Sequence, residues 1–436
     1  MKPLLTITQT ELLIALRANN RFHAGLPGGR RALLQDRDFS GLDLTGYDFS
    51  RADVSGSRFA GVTAVGAVFI ATTASACDFT DADLSRVDFT RAVLCGSSLR
   101  GALLHDATFV QADLRPGYLA TRAMGGVFQR RQVGGGQTVG FTDLSGARMA
   151  GANLRRAHLD DVHAAGTDFR DAVLTRANLS GALLSNARFL GSILEGVMLD
   201  NADLRDANFD EAVLLDVDLG KARGDGLRLT GAMRNHTVGR PPAGLPASLE
   251  MHRDWLSSAG SAGRRIDLRG ADLRGTPYLK GALISLAQLA DAVLYQVDLT
   301  GIRLHAGQAA RADFRMADLT KADVRGTDLS GARFGRCSGY RADFGRLPID
   351  GGGAKATILA GANFRYADLR EARFVGADLT GVDFSHADLT GADLTDADLT
   401  GVNLEGVLGI SEPSQAIWTR PLRPDGRSRV GGVGLG

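Results

Sequence analysis

The chain has 436 residues, a formal charge of +1 and three cysteines. Near-neutral charge argues against a generally basic nucleic-acid binder, and no apolar run is long enough to cross a bilayer. Cys77, Cys95 and Cys337 lack disulfide or metal spacing, and the apolar start before Thr8 is too short for a signal-peptide core, so the expectation is a soluble, cytoplasmic protein with structural thiols.

Thr8-x-x-Glu11 reads as a capping box, because hydroxyl and carboxylate satisfy each other's exposed backbone donors. Leu12, Leu13, Leu16 and Phe22 then predict a partly amphipathic helix ending near Gly25. Gly28-Gly29-Arg30-Arg31 turns the chain toward Leu34, the first central residue of a repeat. Residues 1–33 are expected to cap the first coil, since an open solenoid end offers unpaired strand edges.

From Phe39 a period of five governs the chain, fitting neither the two-residue alternation of a strand nor the 3.6-residue helical turn. Each pentad has a central Leu or Phe with a small residue two before it. Phe49, Phe69, Phe89 and Phe109 recur every twenty residues, Phe39, Phe59 and Phe79 form an opposite column, and Leu84, Leu94, Leu104 and Leu114 lie between. This spacing gives four pentads per coil. Ala52, Ala82, Ala92, Ala102 and Ala112 occupy slots that larger side chains would overfill. The pattern lapses over residues 125–140, around Arg130, Arg131 and Gly134–Gly136, then runs from Leu144 through Phe169, Phe189 and Phe209 to about Leu229. Phe109 and Phe169 share a twenty-residue phase, which predicts one distorted coil between them, bulged or looped out.

Residues 235–263 break the pattern. Residues 241–246 read as a Pro-rich linker, and residues 248–258 as a short helix with Leu249, His252 and Leu256 on one face. Gly263-Arg264-Arg265 echoes Gly29-Arg30-Arg31, so helix, Gly-Arg-Arg and repeats occur twice. The second series begins at Leu268 and Leu273, gains one residue around Gly275-Thr276-Pro277 and runs to Phe344. It lapses over residues 345–355, around Gly351–Gly353 and Lys355. Phe344, Phe364 and Phe384 share a phase, which again predicts a distorted coil. The repeats close near Leu404, residues 411–418 are a candidate small cap, and residues 420–436 are Arg- and Gly-rich. The domains expected are 1–33, 34–234, 235–263, 264–408 and 409–436.

The most regular copies, Ala377-Asp378-Leu379-Thr380-Gly381 through Ala397-Asp398-Leu399-Thr400-Gly401, make the chain resemble the pentapeptide-repeat family. The resemblance implies an all-β solenoid, a right-handed quadrilateral β-helix, here as two tandem units each with a helical N-terminal cap. It is specific to fold and silent on function.

Catalysis needs unlike groups within hydrogen-bond reach of one another. His158 and His163 stand one pentad apart and project from different walls, a poor metal pair. The Gly-Gly-Gly stretches lack a following Gly-Lys-Ser/Thr. Asp38, Asp43, Asp48, Asp53, Asp78, Asp83 and Asp88 precede central residues and read as solvated positions. No catalytic, cofactor or metal residue is therefore assigned. The last coils differ: Asp378, Asp383, Asp388, Asp393 and Asp398, with Asp368, Glu371, Asp396 and Glu405, are opposed mainly by Arg365, Arg370 and Arg373. Some relatives imitate duplex DNA and bind type II topoisomerases, and this acidic end suits that alternative. Arg86, Arg91, Arg100, Arg115, Arg155 and Arg156 set the first series apart from such relatives.

The leading expectation is a non-enzymatic scaffold that binds a partner protein through its walls and interruptions. Arg130, Arg131, Gly351 and Lys355 are the candidate contacts there, and the five aspartates the candidates for a topoisomerase (gyrase). Neither cofactor, direct nucleic acid nor membrane is expected, and homo-oligomerisation stays open.

Overall fold

A computed structural model describes residues 4–117, 120–122, 128–130, 140–235 and 244–410. The chain divides into two compact units, residues 1–237 and 238–436, each with its own apolar core.

The repeats are held by single-residue parallel bridges rather than long strands. In the first unit Asp38 pairs with Arg58, Arg58 with Asp78 and Asp78 with Ser98, a step of twenty residues and hence of four pentads. Each pentad ends in a turn, as where the Leu42 amide donates to the Phe39 carbonyl at 3.1 Å. The third turn residue has positive φ, as at Gly41 (78°), the backbone of a type II turn. The next amide but one on the wall pairs with the coil below, so nearly every inward segment is bonded on both sides.

The core follows from the pentad. Ala52, Ala82 and Ala92, and central residues such as Phe49, Phe69, Leu84 and Leu94, are fully buried. Phe49 and Phe69 stack at 4.6 Å, Phe39 and Phe59 at 4.3 Å, and the two columns meet edge-on, Phe49 to Phe59 at 6.2 Å. Stacked and edge-to-face pairs each add about 0.5–1.5 kcal/mol beyond area burial. Several small slots hold a hydroxyl that donates inward to the preceding coil: Ser57 to Leu34 O at 2.9 Å, Thr72 to Phe49 O at 2.7 Å. The Cys77 thiol does the same toward Val54 O at 3.2 Å.

Strand β1 (Leu5–Thr6) and helix α1 (Gln9–His23) open the first unit, with β1 pairing in parallel with β2 (Arg37–Asp38). The Thr8–Glu11 capping box is formed. Leu12 and Leu16 bury against the core that includes Ala32 and Leu34. The register then jumps. Ser98 pairs with Asp143 and Asp113 with His158, 45 residues on instead of twenty. Twenty-five residues thus leave the ladder, looped out as an insert. Gly117 and Gly140 close its base by an antiparallel bridge, above β3 (Ala120–Arg122) paired with β4 (Phe128–Arg130). Pentads therefore end at Leu114, not near Met124. Phe169 falls in the column of Leu104 and Met149, not that of Phe109. The unit closes with the β5 (Val213–Leu214) and β6 (Met233–Arg234) pair.

Helix α2 (Leu245–Ser257) opens the second unit. It begins three residues earlier than the sequence suggests, because Pro246 sits in its first turn, where a missing N–H costs nothing. Asp267 pairs with Gln288 and Asp272 with Val293, steps of 21, before steps of twenty resume at Leu283–Arg303. The extra residue at Gly275-Thr276-Pro277 is thus absorbed at one corner.

The second lapse is likewise an insert. Asp328 pairs with Ile358 and Asp343 with Arg373, steps of 30. The ten extra residues form the antiparallel hairpin β7 (Leu347–Ile349) and β8 (Gly353–Lys355). The aromatic columns are consequently Phe314–Phe334–Phe364–Phe384 and Phe344–Phe374. Phe344 meets Phe364 edge-on at 89°, so the expected Phe344–Phe364–Phe384 column is corrected.

Candidate functional site

Both inserts leave and rejoin their ladders by one device. The small slot after each insert holds a threonine, Thr142 or Thr357. Its hydroxyl accepts the corner amide of Gly96 (2.9 Å) or Gly326 (2.8 Å) and donates to the carbonyl where the insert begins, Arg115 (3.2 Å) or Gly345 (2.5 Å). An alanine at 357 would leave the Gly326 amide unpaired, whereas the Gly96 amide also donates to the Arg115 carbonyl at 3.2 Å.

The second insert presents all of residues 348–354 to solvent, Asp350 included, with Ile349 52% exposed. Gly351 and Gly352 take φ of 95° and 88° at its tip. Lys355 ends β8, half-buried, and with Leu347 it lies against Gly326, where an added Cβ would stand 2.9 Å from Leu347 Cβ. At the hairpin base Arg346 lies across Gly376 and pairs with Asp396 at 2.9 Å. Of the first insert's candidates, Arg130 is the last backbone position of β4, and Arg131 lies outside the described residues, as does the candidate cap at 411–418.

The five aspartates occupy the outward position before the central residue, half-buried rather than freely solvated. Each accepts the amide and the hydroxyl two residues on: Asp378 from Thr380 at 3.0 and 2.6 Å, Asp398 from Thr400 at 3.0 and 2.7 Å. Asp383, Asp388 and Asp393 cap Ser385, Thr390 and Thr395 likewise. Hydrogen bonds to the charged form, chiefly from the Thr395 side chain, hold the Asp393 carboxyl below its usual range. Sequence reading missed this capping role, although the recurrent Asp-x-Ser/Thr spacing is the signature of an Asx turn.

Arginine in the second of those positions gives a two-pronged ion pair with the same aspartate. Arg115–Asp113 closes at 2.7 Å, Arg205–Asp203 at 2.6 Å and Arg370–Asp368 at 2.7 Å. In the acidic coils Arg365 approaches Asp383 and Arg370 approaches Asp388, both at 3.8 Å, and Arg373 is the rung neighbour of Asp393. Asp378 and Asp398 are paired with each other across rungs and, among the described residues, have no basic partner.

His158 and His163 stand in different columns, beside Asn178 and Leu183. Among the described residues no three metal-ligating side chains converge. The thiols of Cys77 and Cys95 are pushed up to about 12, mainly by burial, which suits inert packing. His252, set on a helix face by its spacing, is fully buried. Its Nδ1 accepts the Ile266 amide at 3.1 Å and its Nε2 faces the Ser285 carbonyl at 3.0 Å. Asn19 does the same in the first unit: Oδ1 accepts the Ala32 amide at 3.0 Å and Nδ2 donates to Ser50 O at 2.8 Å. Arg31 and Arg265 each reach a carbonyl one coil on, at 2.8 and 2.5 Å. Gly29 and Gly263 each abut helix backbone too closely for a Cβ.

The pentapeptide-repeat family model matches residues 77–115, 141–223, 287–346 and 357–406, more than half of the chain. No curated relative matches. Among solved structures, HetL, involved in heterocyst differentiation regulation in Nostoc sp. strain PCC 7120, is 18% identical over 92% of this chain and 98% of its own, with a TM-score of 0.14. QnrB1, a plasmid-mediated fluoroquinolone resistance protein, is 18% identical over 51% of this chain and 97% of its own (TM-score 0.23). Rfr23 from Cyanothece 51142 is 23% identical over 32% and 87% (TM-score 0.20). Coil register, turn chemistry and the family match agree, and the chain belongs to the pentapeptide-repeat family.

Proposed function

We propose that the protein is a non-catalytic scaffold that binds a partner protein through the walls and projecting inserts of its two units. On this reading each unit is a right-handed quadrilateral β-helix capped by its N-terminal helix, working without a cofactor in a reducing compartment, in keeping with three free cysteines. The observation that carries it is the β7–β8 hairpin, which presents Pro348 and the exposed Ile349 beside Asp350 and is anchored at its base by Thr357 and by the Arg346–Asp396 pair. Interfaces are built around such apolar anchors within a polar rim.

Deleting residues 347–356 restores a twenty-residue step at that corner. The expected outcome is an unchanged circular dichroism spectrum with loss of the protein partner captured by the intact chain. Undiminished capture by the deletion variant sinks the proposal.

A second reading, topoisomerase binding by the acidic coils, is favoured by the uncompensated Asp378–Asp398 column. It expects a type II topoisomerase to be retained at low salt, displaced by duplex DNA and weakened by Asp378→Asn with Asp398→Asn. Retention indifferent to that double substitution counts against it.

A further inference from the structure

One corner of the first unit carries a row of arginines that the protein-binding reading does not use. Arg51, Ala71, Arg91, Gln111, Arg156 and Arg176 succeed one another down consecutive coils, each amide bonded to the next coil along. All six have positive φ, between 54° and 58°. This is the conformation glycine adopts freely and other L-residues resist. Another corner of the same unit meets the demand chiefly with glycine, at Gly41, Gly61, Gly101, Gly146 and Gly166. Arginine at the strained position is therefore a departure from what folding alone favours.

The four arginine side chains are exposed. Among the described residues none of them has a carboxylate within ion-pairing distance, in contrast to Arg115 and Arg205, which their own aspartates grip two-pronged. The aspartates of the adjoining wall, Asp48 and Asp88, direct an oxygen to the Ser50 and Thr90 amides. Arg31, whose Nε donates to the Arg51 carbonyl, extends the row at its upper end. With coils about 4.8 Å apart, the guanidiniums form a line of roughly 24 Å on a ladder that cannot flex to disperse them.

We propose that this row binds inorganic polyphosphate. Guanidinium groups match phosphate oxygens in two-pronged geometry, and a line of cations one residue wide suits a linear anion charged along its whole length. The row offers no aromatic ring on which nucleic-acid bases could stack. An extended acidic peptide would turn alternate carboxylates away.

The test is fluorescence anisotropy of labelled polyphosphate with the full-length chain over a salt series. Four contacts predict a slope of log affinity against log salt of about −3, at roughly −0.7 per contact. Arg91→Gln with Arg156→Gln should halve that slope and weaken binding at least tenfold at low salt. Arg115→Gln, which breaks a paired arginine, should leave it unchanged. Arg91→Gly with Arg156→Gly provides a second variant whose residues suit the corner, so that loss of binding is not loss of fold. No binding at low salt, or equal binding by the double variants, overturns the proposal. Stronger competition from oligothymidylate of equal charge, or preferential sedimentation with anionic vesicles, assigns the row to another partner and overturns it too.

Discussion

His252 shows how one side chain secures a whole unit. Its Nδ1 must be unprotonated to accept the Ile266 amide, while Nε2–H donates to Ser285 O. Burial chiefly, and then the Arg265 charge, hold its pKa below the ordinary histidine value, against the opposing effect of the Ser285 carbonyl. The unfolded chain thus takes up a proton near pH 6.5 while the folded chain does not. The contribution is complete above that pH and is lost as pH falls toward the folded pKa. Acid unfolding followed through Trp255 should show this dependence, and His252→Asn should flatten it, because Asn19 makes the equivalent bonds without titrating. His252→Ala should cost about 1–3 kcal/mol for each buried group left unpaired. An unaltered pH profile in the asparagine variant would refute the assignment. The position of His252 on a helix face was legible from spacing; its two hydrogen bonds were not, since they join residues 14 and 33 apart.

At the scale of elements, the pentads were legible because each residue's burial depends on its place in five. The columns across the inserts were misjudged for the same reason. Twenty-five and ten are multiples of five, so the phase survives while the wall changes. What forces the chain out is side-chain size and backbone freedom. Threaded as coil, the second insert would put Leu347 in a slot that small residues such as Thr327 and Ala342 fill elsewhere, overfilling it. The first begins at Pro116, in the corner position where neighbouring coils have positive φ, at Gly96 (68°) and Asp161 (56°); proline is held near −65°. Removing residues 117–141 should therefore fail to restore a stable ladder unless Pro116→Gly accompanies it. Thermal unfolding of the two deletions checks this, with the glycine form expected to be more stable by at least about 1 kcal/mol. Equal midpoints would show that the corner tolerates proline.

At the scale of the molecule, a net charge of +1 conceals sharply different surfaces: a row of unpaired arginines in the first unit and an acidic end in the second. The duplicated opening, a helix clasped to the first coil by Asn19 or His252, gives each unit its own protected start. Residues 1–237 and 238–436 expressed separately should each unfold cooperatively, as solenoids with complete nearest-neighbour contacts do. A fragment that binds a hydrophobic dye and melts without a transition would show that the two cores depend on each other.

The twenty-residue coil also makes length a form of rotation. Ten residues looped out of the second ladder leave every later pentad half a turn from where continuous winding would put it, so the hairpin decides which surface each downstream aspartate faces. Drawing it into the coil, by exchanging the sizes of Leu347 and Ala354, would keep the core composition and deal the same side chains onto opposite walls. A surface could be rearranged in this way without altering any residue on it.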